Sequence, residues 1–218
     1  MDLAAALDRS TWYRRQPEEL RAAIRHEGRA ISLAAGQLAY LEGDTSTGLW
    51  IVLDGLLRLE LPVGEEAAAL VGLAPAGTVF GRSRTGGAAA RIVSARAARP
   101  SRALQLSDAA IARIADRDGR IWRALGEAMQ SQLDASLMAL GSMLCLPPLA
   151  RIAARLVGMA QDGIAQLSQT DLAELTGLSR KVVNGHLATL ERKGLIQRGY
   201  GRIAVLDGAG LARFALPG

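Results

Sequence analysis

An α+β chain is predicted, with an N-terminal β roll and a C-terminal winged helix-turn-helix joined by a long helix. Three observations in the 218-residue sequence predict it. Between Ile31 and Leu106, short apolar runs alternate with glycines. Residues 108–145 lack proline, repeat apolar residues at helical spacing, and stop before Pro147-Pro148. Residues 168–207 (SQTDLAELTGLSRKVVNGHLATLERKGLIQRGYGRIAVLD) hold two short amphipathic segments around a glycine, followed by a basic hairpin. The expected units are 1–107, the β roll with an N-terminal helix; 108–146, the long helix; and 147–218, the winged helix-turn-helix.

Bulk composition narrows the function. Half of the residues are apolar, enough for two modest cores. The net charge of +5 is uneven: residues 149–218 carry nine Lys/Arg against five Asp/Glu, while residues 1–148 carry seventeen against sixteen. The basic excess therefore sits on the candidate reader, where phosphate binding requires it. Both lysines, Lys181 and Lys193, lie there. The one cysteine, Cys145, excludes a disulfide within the chain and argues against an iron–sulfur cluster or structural zinc. It is expected to pack, with a thiol switch at a dimer interface as the alternative. The first residues lack the basic-then-apolar order of a signal peptide, and no apolar run approaches ~18 residues. A cytoplasmic protein without membrane contact is expected. No paired carboxylates, Ser/His/Asp set or metal cluster stands out, so the chain is not expected to be an enzyme.

The elements follow in order. Residues 17–27 (PEELRAAIRHE) predict a helix, with Pro at the first turn, acids beside it, and Leu20, Ala23 and Ile24 on one face. His26 on this helix is expected at the surface. From Ile31 to Leu106, strands are separated by turns at Gly36, Gly43, Gly55 and Gly77, the pattern of a small β barrel or roll. Then Ile111, Ile114, Ile121, Leu125, Met129, Leu133, Leu137, Leu140 and Leu144 form a stripe, with charges between Arg113 and Ile121. A helix of this length usually buries such a stripe against a twin, giving a homodimer; the alternative is packing on its own domain. Pro147-Pro148 break the helix and form a candidate hinge. A new helix is expected over Leu149–Gln161.

The reader starts with Ser168 and Asp171 in capping-box spacing. Leu172 and Leu175 face a core, Gly177 supplies a left-handed turn, and Leu178 fills the angle between the helices. Ser179 caps the next helix, whose Val182, Val183, Leu187 and Leu190 form its expected buried side. Arg180, Lys181 and Asn184 then point outward as base contacts, with Gly185 and His186 beside them. Arg and Lys donate to guanine O6/N7, and Asn pairs bidentately with adenine. Gly185 allows close approach without a side-chain contact. Gln169, Thr170, Ser179, Arg192, Lys193, Arg198, Tyr200 and Arg202 are phosphate-contact candidates, the last three flanking the Gly199–Gly201 turn of the wing.

The segment LSQTDLAELTGLSRKVVNGHLATLERKGLI resembles the helix-turn-helix of the Crp/Fnr family. AAGQLAYLEGD and GLWIVLDGLLRLEL are similar to that family's β-roll strands, in the same order along the chain. The resemblance implies a cyclic-nucleotide-binding-like sensor domain, a dimerisation helix, and a homodimeric transcription regulator. Its partner is double-stranded DNA with a pseudo-palindromic site, and RNA polymerase is a further candidate partner. Lys181 stands where the family usually has an acid, and Gly185 where it often has Arg, so the operator cannot be borrowed from the family.

The same resemblance locates a candidate effector pocket at Phe80, Gly81, Arg82, Arg91, Ile92, Ser136 and Leu137. Gly81 matches the family's phosphate cradle and Arg91 its phosphate-binding Arg. Arg82 replaces the Glu that takes the ribose hydroxyl, Ile92 replaces a hydroxyl residue, and Ser136-Leu137 keep half of the family's base-contacting Thr–Ser pair. An unpaired buried polar group costs roughly 1–3 kcal/mol, so these changes disfavour cyclic AMP in the usual pose. Two alternatives stay open. The acid-free segment with Arg82, Arg84, Arg91, Arg96, Arg99 and Arg102 could take a more highly charged anion, or hold ordinary solvated arginines. The pocket could also be filled by its own side chains. One cysteine is too few for the family's iron–sulfur sensors, and His26 and His186 are poorly placed for haem. The competing class of function is a small-ligand binding module without working sequence-specific DNA recognition.

Overall fold

The computed structural model describes residues 2–64, 67–82 and 90–215, with Arg82 described through its backbone alone. The chain divides into two compact units, Met1–Leu133 and Asp134–Gly218.

The first unit opens with α1 (Leu3–Leu7), α2 (Thr11–Arg14) and α3 (Glu18–Glu27). Among the described residues, eight strands follow: β1 (Arg29–Leu33), β2 (Leu38–Tyr40), β3 (Gly48–Asp54), β4 (Leu56–Val63), β5 (Ala67–Pro75), β6 (Val79–Arg82), β7 (Ser94–Ala97) and β8 (Ser101–Ser107). They form two antiparallel four-stranded sheets, ordered β1-β8-β3-β6 and β2-β7-β4-β5. β3 shows why this region reads as unbroken apolar runs. Its alternate residues Leu49, Ile51 and Leu53 pack with the helices, while Trp50 and Val52 pack with Leu57, Ala95 and Ala97 of the other sheet. A strand covered on both faces has no polar side to alternate with. Gly36, Gly43, Gly55 and Gly77, expected at turns, have φ of 81, 83, 90 and 89°.

The long helix differs from expectation. Residues 108–146 form α4 (Asp108–Ala115) and α5 (Arg120–Cys145), separated by a turn. The charges between Arg113 and Ile121 mark the break, and their chemistry explains it. The Arg117 and Asp118 N–H groups both return to the Ile114 carbonyl. The Asp118 carboxylate accepts the Arg120 N–H at 3.0 Å, satisfying a first-turn donor of a new helix. The apolar stripe also serves two purposes. Ile111, Ile114, Ile121 and Leu125 are buried in the first unit's own core. Leu133, Leu137, Leu140 and Leu144 are 52, 56, 55 and 76% exposed, so only this later stretch is available to a twin.

The second unit continues with α6 (Pro148–Met159), β9 (Ala160–Gln161), β10 (Ile164–Ala165), α7 (Gln169–Thr176), α8 (Arg180–Arg192), β11 (Ile196–Gly199), β12 (Arg202–Val205) and α9 (Gly208–Phe214). The sheet order is β11-β12-β10-β9. α6 ends two residues earlier than expected, because Ala160–Gln161 pair with Ile164–Ala165 across a turn. Asp162 and Gly163 in that turn have φ of 48 and 74°, the left-handed pair that a two-residue hairpin demands. No helix among the described residues is long and apolar enough to cross a membrane.

Candidate functional site

Local hydrogen bonds build the reader. The Ser168 hydroxyl oxygen accepts from Asp171 N–H at 3.1 Å, and the Asp171 carboxylate accepts from Ser168 N–H at 2.9 Å, a complete capping box. Gly177 ends α7 at φ 62°, and the Leu178 N–H returns to the Ala173 carbonyl. Leu178 itself is half-buried. Ser179 accepts from Val182 N–H at 3.3 Å and caps α8, which leaves its hydroxyl proton for another acceptor. Val183, Leu187 and Leu190 are fully buried and fix the rotation of α8.

That rotation decides the outward set. Arg180, Lys181 and Gly185 are exposed and His186 is half-buried. Val182, expected on the buried side, is 38% exposed, because it lies about 100° around the helix from Val183. Asn184 lies on the opposite flank. Its Oδ1 is buried without a hydrogen-bond partner rather than pointing outward. Bidentate pairing with adenine needs both amide atoms, so this conformation does not offer it.

Of the phosphate candidates, Thr170, Arg192, Lys193, Tyr200 and Arg202 are exposed and Gln169 is half-buried. Tyr200 and Gly201 form the wing tip, between the paired Gly199 and Arg202. Arg198 is engaged rather than presented. Its Nε donates to Glu191 Oε2 at 2.7 Å and its backbone N–H to Oε1 at 2.9 Å. The Arg198 side chain, then its backbone N–H, hold the Glu191 carboxyl below the usual carboxylate range. Arg192 folds back on Ala188 O and Thr189 Oγ1, and Lys193 Nζ lies 5.7 Å from the centre of the Phe214 ring.

Two arginines that hold the reader together were not anticipated. Arg151 donates to Thr176 O at 2.9 Å and Leu146 O at 3.2 Å, and Arg155 donates to Leu175 O at 3.2 Å. They satisfy carbonyls at the α7 C-terminus, where the helix dipole favours a cation. Burial pulls the Arg155 guanidinium below its ordinary pKa. Their four-residue spacing on α6 was the available signal. Arg151 also bridges the Pro147-Pro148 break expected as a hinge.

In the β roll, Tyr40, Trp50 and Phe80 cluster, with Tyr40 6.0 and 6.2 Å from the other two ring centres. Arg91 is 2% exposed. Its guanidinium stacks on Tyr40, and its Nε donates to Ser46 O at 3.0 Å. Its Nη1 is buried without a partner. Gly81 has φ 125°, and a Cβ there would lie 2.5 Å from Gly48 O. Its N–H donates to Gln132 Oε1 of α5 at 3.3 Å. Ile92, in the bend before β7, is 58% exposed, whereas Arg91 beside it is 2% exposed. Leu137 is 56% exposed and Ser136 is exposed, both in the second unit. Arg96 donates to Gly36 O and Glu60, and Arg99 to Gly55 O, which opposes an anion cluster built on them. The Arg82 side chain and Arg84 lie outside the described residues. A cyclic nucleotide in the usual pose would have to displace Gln132 from the Gly81 N–H, and would meet an Arg91 held through Nε and Nη2 with Nη1 as its unpartnered donor.

His26 is at the surface, as expected, with 78% side-chain exposure. Cys145 is exposed rather than packed in the single chain. Among the described residues, no group of three or more His, Cys, Asp or Glu is placed to hold a metal ion.

Residues 150–214 match a Crp-like helix-turn-helix domain, and residues 30–118 match a cyclic nucleotide-binding domain. The chain is 30% identical over 179 residues to the HTH-type transcriptional regulator Cmr of Mycobacterium tuberculosis, covering 82% of this chain and 72% of that protein. It is 26% identical over 197 residues to the nitrogen fixation regulation protein FixK of Bradyrhizobium diazoefficiens, covering 84% and 81%. The solved structure of FixK2 from Bradyrhizobium japonicum shares the fold at a TM-score of 0.77 and 18% identity, covering 88% of this chain and 98% of that one. With a reader and a β roll both matched in this order, and with Cmr as a relative across most of both chains, the chain belongs to the Crp/Fnr family of transcription regulators.

Proposed function

We propose that this regulator binds pseudo-palindromic double-stranded DNA as a homodimer in the cytoplasm, with Arg180 and Lys181 as its base-reading side chains. The carrying observation is α8 itself: capped by Ser179, held by Val183, Leu187 and Leu190, and presenting Arg180 and Lys181 to solvent. Thr170, Ser179, Lys193, Tyr200 and Arg202 supply phosphate contacts around it, and Gln169 and Arg192 lie at its margins. Arg198 serves the DNA indirectly, by tying the wing to α8 through Glu191. The exposed Leu133–Leu144 stretch of α5 is the surface that a second copy covers, at the heptad-like steps of a two-stranded helix pair. Two readers then address half-sites about one helical turn apart. RNA polymerase is the further partner this function implies.

The β roll acts without cyclic AMP in the usual pose. Tyr40, Ser46 and Gly48 hold the Arg91 guanidinium face, Nε and Nη2, and Gln132 takes the Gly81 N–H, so the fold supplies most of the contacts that a ligand phosphate would make and leaves Nη1 unpartnered among the described residues.

Gel shifts on genomic fragments test the DNA reading. The expected result is a sequence preference that Arg180→Ala abolishes while weak binding survives at low salt. Failure to retain any DNA at any salt concentration would instead support a ligand-binding module without DNA recognition.

A further inference from the structure

We propose that Gly185 is a specificity-determining position: its missing side chain lets the middle of α8 press against the base edges and brings Lys181 onto them. This rests on α8 being the DNA-reading helix.

The buried stripe of α8 runs through Val183, Leu187 and Leu190. At 3.6 residues per turn, the point opposite Val183 falls between Lys181 and Gly185, one turn apart. Gly185 therefore occupies the centre of the outward face, and it is exposed. Nothing in the chain's own fold asks for glycine there. Gly185 is not among the positive-φ residues, and a Cβ built on it meets nothing within 4 Å. Gly177 in the same unit is the contrast: φ is 62°, and a Cβ would lie 2.9 Å from Met143 Cε.

Glycine in a helix interior is less favourable than alanine, because it surrenders more backbone freedom on folding. At Gly185 that cost has no internal return. The Thr189 hydroxyl donates to the Gly185 carbonyl at 3.1 Å, so the polar backbone of this turn is tied back along the helix. What remains outward is bare backbone. A groove wall can meet it closely, whereas any side chain would hold the helix axis away. Hydrogen-bond readout then falls to Lys181 one turn earlier and to Arg180 beside it, and the base step beneath Gly185 is chosen by fit.

The test begins with selection of a binding site from a randomised duplex library by the full-length protein. Wild type, Gly185→Ala and Gly185→Arg are then compared on the selected duplex, on a scrambled duplex of equal length, and in thermal denaturation. Gly185→Ala should melt about 1–3 °C higher. It should bind the selected duplex about tenfold more weakly, with scrambled-duplex binding unchanged. Gly185→Arg, which meets no obstacle in the free protein, should select a different base at that step. Unchanged affinity and unchanged selection by both variants overturn the proposal while leaving the DNA-reading assignment intact. A lower melting temperature for Gly185→Ala also overturns it, since the glycine would then serve the fold. Wild type selecting no sequence overturns the DNA-reading assignment and this proposal with it.

Discussion

Arg91 lies over the ring of Tyr40, its guanidinium carbon 3.7 Å from the ring centre. The arginine that family likeness would aim at a ligand phosphate is thus committed to an aromatic face, and through Nε and Nη2 to the carbonyls of Ser46 and Gly48. Burial lowers the Arg91 pKa, with Tyr40 the leading group opposing that fall.

Burial also raises the Tyr40 phenol to about 12, with nearby Arg91 limiting the rise. The folded pKa lies above the ordinary 10.0. The stability contributed by the neutral phenol is therefore complete below the ordinary value and is lost as pH climbs through the raised one. In an ultraviolet phenolate titration, Tyr40→Phe should remove a phenol with a midpoint of about 12. It should also resist alkaline unfolding better than wild type. Removal of a phenol with an ordinary midpoint would show that Tyr40 is not buried as described.

Cyclic AMP should leave the melting temperature of the full chain unchanged within about 1 °C, because a ligand stabilises only in proportion to its binding of the folded state. Cyclic GMP, cyclic di-GMP and guanosine polyphosphates belong in the same screen. A rise of several degrees with cyclic AMP would show that Arg91 and Gly81 can be released, and the self-filled description would fail.

Introducing carboxylates on the exposed stretch of α5 should separate the dimer without unfolding the protomer. Leu137 and Leu144 are 56 and 76% exposed in the single chain, so Leu137→Glu with Leu144→Glu removes no core contact there. Light scattering should report a monomer, and DNA affinity should fall by about 100-fold or more as the second half-site is lost. A double variant that remains dimeric places the interface elsewhere.

Removing Lys193 or Arg202 should weaken binding to all duplexes alike and reduce the slope of log affinity against log salt by about 0.9 per phosphate contact. Arg198→Ala should change that slope less, because Glu191 already takes its charge. Equal slope changes for all three variants would mean that Arg198 leaves Glu191 when DNA binds.

How much was legible depends on how local the cause was. The capping box at Ser168, the turn at Gly177 and the wing at Tyr200-Gly201 are set by residues within a few positions of one another, and all appear as expected. The break between α4 and α5 was harder. Its apolar stripe continues through it, and only the tertiary core shows that Ile111 to Leu125 face the chain's own strands. Asn184 was misplaced because a helical flank and a helical face differ by one residue, and the buried stripe sets which is which. The Arg91 contacts come from residues more than forty positions away, beyond any spacing rule.

Arg151 grips the Leu146 and Thr176 carbonyls together, and Met143 lies against the space beside Gly177. The joint after α5 is therefore a splined coupling rather than a swivel. The last turn of α5 and the corner between α7 and α8 are thereby keyed to each other.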